Sequence, residues 1–104
     1  MAQQNTNTRT NTGTRLTPPR RYLVRIHNDD VTTMEFVVEI LQDIFNMTLE
    51  HATATMLEIH HNDYAVVGTY SYDIAQTKAE MTMQQARENG FPLRVTVEPT
   101  IYQI

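Results

Sequence analysis

The chain has 104 residues, a net charge of −4 and no cysteine, which fits one small domain without disulfides or cysteine-ligated metal. No apolar run approaches the roughly 18 residues that span a membrane, and the N-terminus lacks an apolar secretory signal, so we expect a cytosol-like compartment. The first 20 residues carry three arginines and no acids, whereas the rest carries five basic and twelve acidic residues. An acidic body disfavours nucleic-acid binding. It suits a positively charged partner, or it simply keeps the domain soluble.

Residues 1–20 are rich in Thr, Asn and Gln and contain almost no large aliphatic side chains. Such a segment buries too little apolar surface to offset its ordering entropy, so we predict a disordered N-terminal extension over 1–20. It ends in the stiff Pro18-Pro19 step, and an ordered domain is predicted over 21–104. The extension has two interpretations, a flexible segment that another protein engages and a cloning or solubility leader.

The ordered domain begins with a strand over Tyr22–His27, which the alternation of side chains predicts. It stops at the Asn-Asp-Asp run over 28–30, residue types that prefer turns and helix caps. Thr32 or Thr33 then caps a first helix, which ends at Asn46. One face of this helix carries six apolar residues, Phe36, Val37, Ile40, Leu41, Ile44 and Phe45.

A second helix is predicted from a Thr48 cap to the His-Asn-Asp run over 61–63. Residues 64–70 are rich in β-formers and form the second strand, in which Gly68 marks a bulge or a close approach. A third helix is capped by Ser71 and ends before Gly90, which suits a left-handed terminator.

Alternation from Leu93 to Glu98 predicts the final strand. The order of elements is therefore βααβαβ. The predicted fold class is an α/β sandwich, a three-stranded antiparallel sheet with three helices packed on one face.

A metal site is one interpretation of the polar residues. His27, Asp29, Asp30, His60 and His61 are of metal-ligating types, but no HExxH or comparable pattern fixes a geometry, and turn or helix-end roles explain them equally well. No serine lies in a Gly-x-Ser-x-Gly elbow, and cysteine is absent. We therefore predict no catalytic residue, no metal and no cofactor.

A binding site is the alternative interpretation. Asn28, Asp29 and a neutral His60 offer hydrogen-bond acceptors, and an ammonium group has only donors. An apolar recess beside them would be formed by Met34, Val37, Met56 and Ile59. Together they would complement a free α-amino group that carries a bulky side chain, and capture of an N-terminal amine is a recognised mode of peptide binding. The alternative is that the recess residues are ordinary core and His60 is a half-buried histidine.

Several motifs carry a resemblance to one family. Residues 28–37, Asn-Asp-Asp-Val-Thr-Thr-Met-Glu-Phe-Val, resemble the signature Asn-Asp-Asp-x-Thr-x-Met-Glu-Phe-Val of the ClpS adaptor family. Residues 52–60, Ala-Thr-Ala-Thr-Met-Leu-Glu-Ile-His, resemble that family's second helix. Further matches are Gly68, Thr77-Lys78, Ala86-Arg87-Glu88-Asn89 and Pro92-Leu93. The resemblance covers residues 20–98.

The resemblance implies a small adaptor that is not an enzyme. Such adaptors bind N-degron peptides and proteins whose first residue is Leu, Phe, Tyr or Trp. They deliver them to the N-terminal domain of a Clp AAA+ unfoldase, ClpA or ClpC, which feeds the ClpP protease. The implied protein is a monomer in the bacterial cytosol or plastid stroma, without a cofactor and without nucleic-acid or membrane partners.

The resemblance also implies residue roles. Asn28 and His60 would hydrogen-bond the α-amino group, with Asp29 assisting through water. Met34 would act as a gate against β-branched first residues, and Asp73 and Lys78 would dock on the unfoldase. The side-chain pocket would be lined by Thr32, Met34, Val37, Met56, Ile59 and Leu93.

The chain departs from the family pattern at three points. Thr33 stands where Pro is common, and Ile59, which would narrow the pocket, stands where Val is common. Residues 61–64, His-Asn-Asp-Tyr, follow the pocket histidine where the family often has x-x-Gly-Lys. The alternative function is a non-catalytic docking module with a fold similar to the C-terminal domain of the bacterial ribosomal stalk protein. That function would need a Lys- and Gly-rich helix, and this chain has one lysine and three glycines.

Overall fold

The computed structural model describes residues 20–100. The extension predicted over 1–20 lies outside the described residues apart from Arg20, and so does the end of the predicted domain, 101–104. The six elements are β1 (Tyr22–His27), α1 (Met34–Asp43), α2 (Leu49–Asn62), β2 (Tyr64–Tyr70), α3 (Tyr72–Glu88) and β3 (Arg94–Pro99). Among the described residues, no helix is both long and apolar enough to cross a membrane.

The sheet has the order β2-β1-β3, and both pairings are antiparallel. Val24 and Ile26 of the central strand are fully buried, which places the core between the sheet and the helices. The predicted three-stranded antiparallel sheet with three helices on one face is therefore confirmed. His27 lies opposite Tyr64 on one side and Arg94 on the other, so the chain leaves β1 from the middle strand at one end of the sheet.

Helix α1 supplies much of the core. The six apolar residues predicted for one face are all buried, with at most 7% of any of them exposed. The helix is shorter than predicted, because it ends at Asp43 rather than at Asn46. The amide of Ile44 donates to the Ile40 carbonyl at 2.8 Å, and Asn46 then adopts a left-handed φ of 59° that turns the chain towards α2.

The predicted helix caps are confirmed in position. The hydroxyls of Thr33 and Thr48 accept hydrogen bonds from the amides of Phe36 and His51, at 3.2 and 3.1 Å. Ser71 occupies the N-cap position of α3, but its side chain makes no capping hydrogen bond.

Two glycine predictions are confirmed. Gly90 has the left-handed φ of 77° expected of a terminator. The pairing of β1 with β2 shifts between Val24 and Arg25, which lie opposite Gly68 and Val66, so a bulge falls where it was predicted. A Cβ atom at Gly68 would also overlap the ring of Tyr70, which explains why the bulge uses glycine.

Candidate functional site

The start of the loop between β1 and α1 is tied to the turn after α2. The Asn28 amide donates to the Asp63 carbonyl at 2.8 Å, which ties the end of β1 to the turn after α2. Asp63 has a left-handed φ of 74°, a conformation that glycine adopts most easily. The aspartate thus takes a glycine-like backbone shape at a point where the sequence departs from the family pattern.

Asp29 organises the middle of this loop. Its Oδ1 accepts hydrogen bonds from the amides of Val31 and Thr32, at 2.8 and 2.7 Å, and its Oδ2 accepts one from the Thr32 hydroxyl at 2.7 Å. Burial raises the pKa of Asp29, but these hydrogen bonds from Thr32 and Val31 outweigh it and hold that pKa below its ordinary value. Asp29 is therefore a carboxylate at neutral pH, and three of its acceptor positions are already engaged within the loop.

Helices α1 and α2 supply the rest of the site. Met34 begins α1 and is 43% exposed, whereas Val37 is buried one turn later. On α2, Ile59 is buried, Met56 is half-buried and His60 is exposed. The ring of His60 lies 5.3 Å from that of His61, centroid to centroid, in an edge-on arrangement.

The β1–α1 loop and the two helices line a cavity of about 460 Å³ that is open to solvent. The structure brings together eight of the nine residues predicted for amine and side-chain binding. Those eight are Asn28, Asp29, Thr32, Met34, Val37, Met56, Ile59 and His60. Four further residues, which the sequence analysis did not assign to the site, also line the cavity: Asp30, Val31, Thr33 and Glu35. All four lie within the 28–37 motif, so adjacency to its assigned residues was the available signal.

Leu93 is the one predicted pocket residue that is not among the residues lining this cavity. It is buried in the core, with 6% of its surface exposed, and it does not line this cavity. It directly precedes β3, whereas the cavity is built by the β1–α1 loop and two helices. The assignment of Leu93 to the pocket came from the family resemblance, whereas the alternation predicted only that Leu93 begins a strand.

The cavity combines acceptors with an apolar wall. Its charged residues are Asp29, Asp30 and Glu35, and none of its lining residues is Lys or Arg. Within residues 20–100, the side chains of Asn28 and His60 make no hydrogen bond to the protein. In the same range, no three side chains of metal-ligating type come together to hold a metal ion. The site is thus suited to a cationic donor attached to an apolar group.

The two predicted docking residues lie away from the cavity. Asp73 is exposed in the first turn of α3. Lys78 is half-buried, and its Nζ donates to the Ile44 carbonyl at 2.6 Å, beyond the last turn of α1. The same ammonium lies 5.7 Å from the ring centroid of Phe45 and 5.4 Å from that of Tyr70, within the range of cation–π attraction. Lys78 therefore contributes to packing between α1, α3 and β2.

Known proteins are similar to this chain in sequence. The family model described as ATP-dependent Clp protease adaptor protein ClpS matches residues 17–96. The chain is 54% identical over 81 residues to the ATP-dependent Clp protease adapter protein ClpS of Neisseria gonorrhoeae, covering 78% of each chain. It is 49% identical over 85 residues to that of Campylobacter jejuni, covering 82% of this chain and 88% of the relative.

A solved structure is also similar. Agrobacterium tumefaciens ClpS2 bound to L-phenylalaninamide aligns with a TM-score of 0.78 and 38% sequence identity, covering 80% of this chain and all of that one. These relatives are adaptor proteins of the ATP-dependent Clp protease. The chain belongs to the ClpS family.

Proposed function

We propose that this protein is an N-degron adaptor. It binds the free α-amino group and the bulky first side chain, Leu, Phe, Tyr or Trp, of a substrate. It delivers that substrate to a Clp AAA+ unfoldase, ClpA or ClpC, for degradation by ClpP. The observation that carries the proposal is the convergence of three acceptor residues and four apolar residues on one cavity.

The three acceptor residues have different roles in binding the amine. The side chains of Asn28 and His60 have no hydrogen-bond partner within residues 20–100, so each offers an acceptor to an ammonium group. Asp29 already accepts three hydrogen bonds within the loop. It therefore attracts the ammonium group through its negative charge or through a bridging water rather than through a direct hydrogen bond. The acidic lining attracts the ammonium and disfavours an anionic ligand.

The apolar part of the cavity receives the first side chain. Val37 and Ile59 form its buried wall, and Met34 and Met56 lie nearer the opening. Burying a Leu or Phe side chain there contributes roughly 1.5–3 kcal/mol. L-phenylalaninamide, the ligand of the similar ClpS2, carries both a free α-amino group and a benzyl side chain, which supports the same division of the site.

The proposed partner is the Clp unfoldase, which would bind away from the cavity. Asp73 and Lys78 are proposed to contact the N-terminal domain of the unfoldase, with Asp73 the more accessible of the two. We propose that the protein is a non-catalytic monomer of the bacterial cytosol or the plastid stroma. Membership of an adaptor family supports the non-catalytic role.

Fluorescence anisotropy with labelled peptides tests the proposal. A free Phe-initiated peptide should bind, whereas the same peptide with an acetylated N-terminus should not, because acetylation removes the positive charge and leaves only one of the three N–H donors. Affinity should also fall as pH rises through the titration of the peptide amine, about 7.7–8.0. Equal binding of free and acetylated peptides would overturn amine capture.

Single substitutions test which residues bind the α-amino group. Asn28→Ala and His60→Ala should each weaken binding about 10- to 100-fold, because a charge-assisted hydrogen bond contributes roughly 1.5–3 kcal/mol. His61→Ala is the matched control, since His61 is also exposed at the end of α2 but does not line the cavity. Equal losses in His60→Ala and His61→Ala would contradict the assignment.

A further inference from the structure

A second recess adjoins the proposed first-residue pocket. It has a volume of about 420 Å³ and lies between α1 and α2. Its lining residues are Met34, Glu35, Val38, Thr53 and Met56. Three of these five also line the first cavity, so the two spaces are adjacent. A ligand in the first cavity therefore lies beside this recess.

The spacing suits the next residue of the same peptide. From Met34 to Val38 the recess advances one turn along α1, about 6 Å at the usual helical rise. Along α2 it extends from Met56 back to Thr53 in the same way. Successive Cα atoms of a peptide are about 3.8 Å apart, so a peptide anchored by its first side chain can place its second side chain over the recess.

The chemistry of the recess selects a kind of side chain. Met34, Val38 and Met56 provide an apolar surface, and Glu35 is exposed at its edge. Within residues 20–100, Glu35 forms no ion pair, and neither cavity is lined by Lys or Arg. Lys and Arg place an aliphatic stem along apolar surface while their charged head remains in water, where a carboxylate can pair with it.

We propose that this recess is a subsite for the second residue of a bound peptide and that it favours Lys or Arg there. The proposal deepens the proposed function, on which it rests. The methionines and Val38 receive the stem, and Glu35 pairs with the cationic head. An acidic second residue is disfavoured, because its carboxylate would face Glu35 without a compensating cation.

Anisotropy with matched peptides tests the subsite. The peptides begin with Phe and differ only at the second residue, which is Lys, Ala, norleucine or Glu. A further peptide has Ala at the second residue and Lys near its C-terminus, so it has the net charge of the Phe-Lys peptide. We expect Phe-Lys to bind about threefold more tightly than Phe-Ala, the scale of an exposed ion pair. Norleucine should gain part of this, and Glu should bind more weakly than Ala.

Two substitutions locate the effect. Glu35→Gln should lower the Lys-to-Ala affinity ratio to that of norleucine to Ala. Glu39→Gln is the matched control, one turn further along α1 and outside both cavities, and should leave the ratio at its wild-type value. Ratios are compared so that any effect of Glu35→Gln on first-residue binding cancels.

The outcomes separate this proposal from the proposed function. If the free Phe-Ala peptide does not bind, the proposed function itself fails. If Phe-Ala binds but Lys and Ala are equal at the second residue, only the subsite is wrong. A Lys-to-Ala affinity ratio that keeps its wild-type value in Glu35→Gln, or that the displaced Lys reproduces, would indicate general attraction by the acidic body and would also overturn the subsite.

Discussion

The two ends of α1 use polar side chains in opposite ways. At its N-terminal end, Asn28 and His60 face a cavity, and within residues 20–100 their side chains make no hydrogen bond to the protein. Beyond its C-terminal end, Lys78 is half-buried and bonded to the Ile44 carbonyl. The first arrangement keeps polar groups available to a ligand, and the second uses a charge to hold elements together. Cavity substitutions should therefore change affinity, and substitution of Lys78 should change stability.

The topology also separates the proposed peptide site from the proposed docking site. Helix α3 begins just after Tyr70, which lies opposite Tyr22 at the start of β1, whereas the cavity begins at Asn28, just beyond its end. Tyr22 and His27 are roughly 17 Å apart by the usual strand rise. A substrate at one end and an unfoldase domain at the other would therefore bind without competing for surface.

The largest effect on stability is expected at Lys78. Lys78→Met keeps much of the side-chain volume but removes the hydrogen bond to Ile44 and the contacts with two aromatic rings. The loss should be about 2 kcal/mol, or a fall in Tm of roughly 10 °C in thermal unfolding followed by circular dichroism. Arg87→Met, on the exposed surface of the same helix, is the control. An unchanged Tm in Lys78→Met would show that the contacts seen here contribute nothing.

The next effect concerns selectivity at the cavity end. Met34→Ala should open the mouth of the pocket and admit Val and Ile, whose bulk lies at Cβ. These peptides should gain up to about 1.5 kcal/mol, roughly tenfold, while Leu and Phe change less. The measurement is the Val-to-Leu affinity ratio in the wild type and the variant. If the ratio does not move, the gate lies elsewhere, and Ile59 is the next residue to test.

A smaller effect is expected within the β1–α1 loop. Thr32→Val is nearly isosteric and removes one hydrogen bond to Asp29, so it should cost about 1 kcal/mol at pH 7 in urea unfolding. Because the folded pKa of Asp29 is depressed, its stabilising contribution is present above the unfolded pKa near 3.9 and is lost as pH falls through the folded value. The difference between the variant and the wild type should therefore shrink at low pH. A difference that does not shrink at all as the pH is lowered would not come from the Asp29 carboxylate.

Periodicity predicted the elements well, because burial imposes it along a strand or a helix. The alternation over 22–27 and the apolar face of α1 both arise because those side chains pack into the core. Side-chain contacts at the ends of the helices were harder to predict from the sequence. Lys78 and Ile44 are 34 positions apart, and no local pattern links them.

The candidate site was predictable where its residues share a motif. Eight of the predicted binding residues line one cavity, and they come from two stretches, 28–37 and 52–60, whose order and spacing match the family motifs. Leu93, which the resemblance also assigned to the pocket, is buried but does not line the cavity. The second recess had no signal of its own, because it depends on how α1 and α2 cross.

The smallest predicted effect concerns Asp63, the residue that joins the cavity end to α2. Its side chain is exposed, and its backbone has the left-handed φ of 74° at which a residue with a Cβ atom is strained. Asp63→Gly should relieve that strain and raise the free energy of unfolding by about 0.5–1 kcal/mol, measured in urea. Affinity for a Phe-initiated peptide should not change, because the Asn28 amide bonds the carbonyl of residue 63, which glycine retains. Asn62→Gly, one position earlier within α2, is the opposite control and should destabilise the protein, because glycine disfavours helical backbone. A loss of stability in Asp63→Gly would mean that the aspartate side chain contributes more than its backbone strain costs.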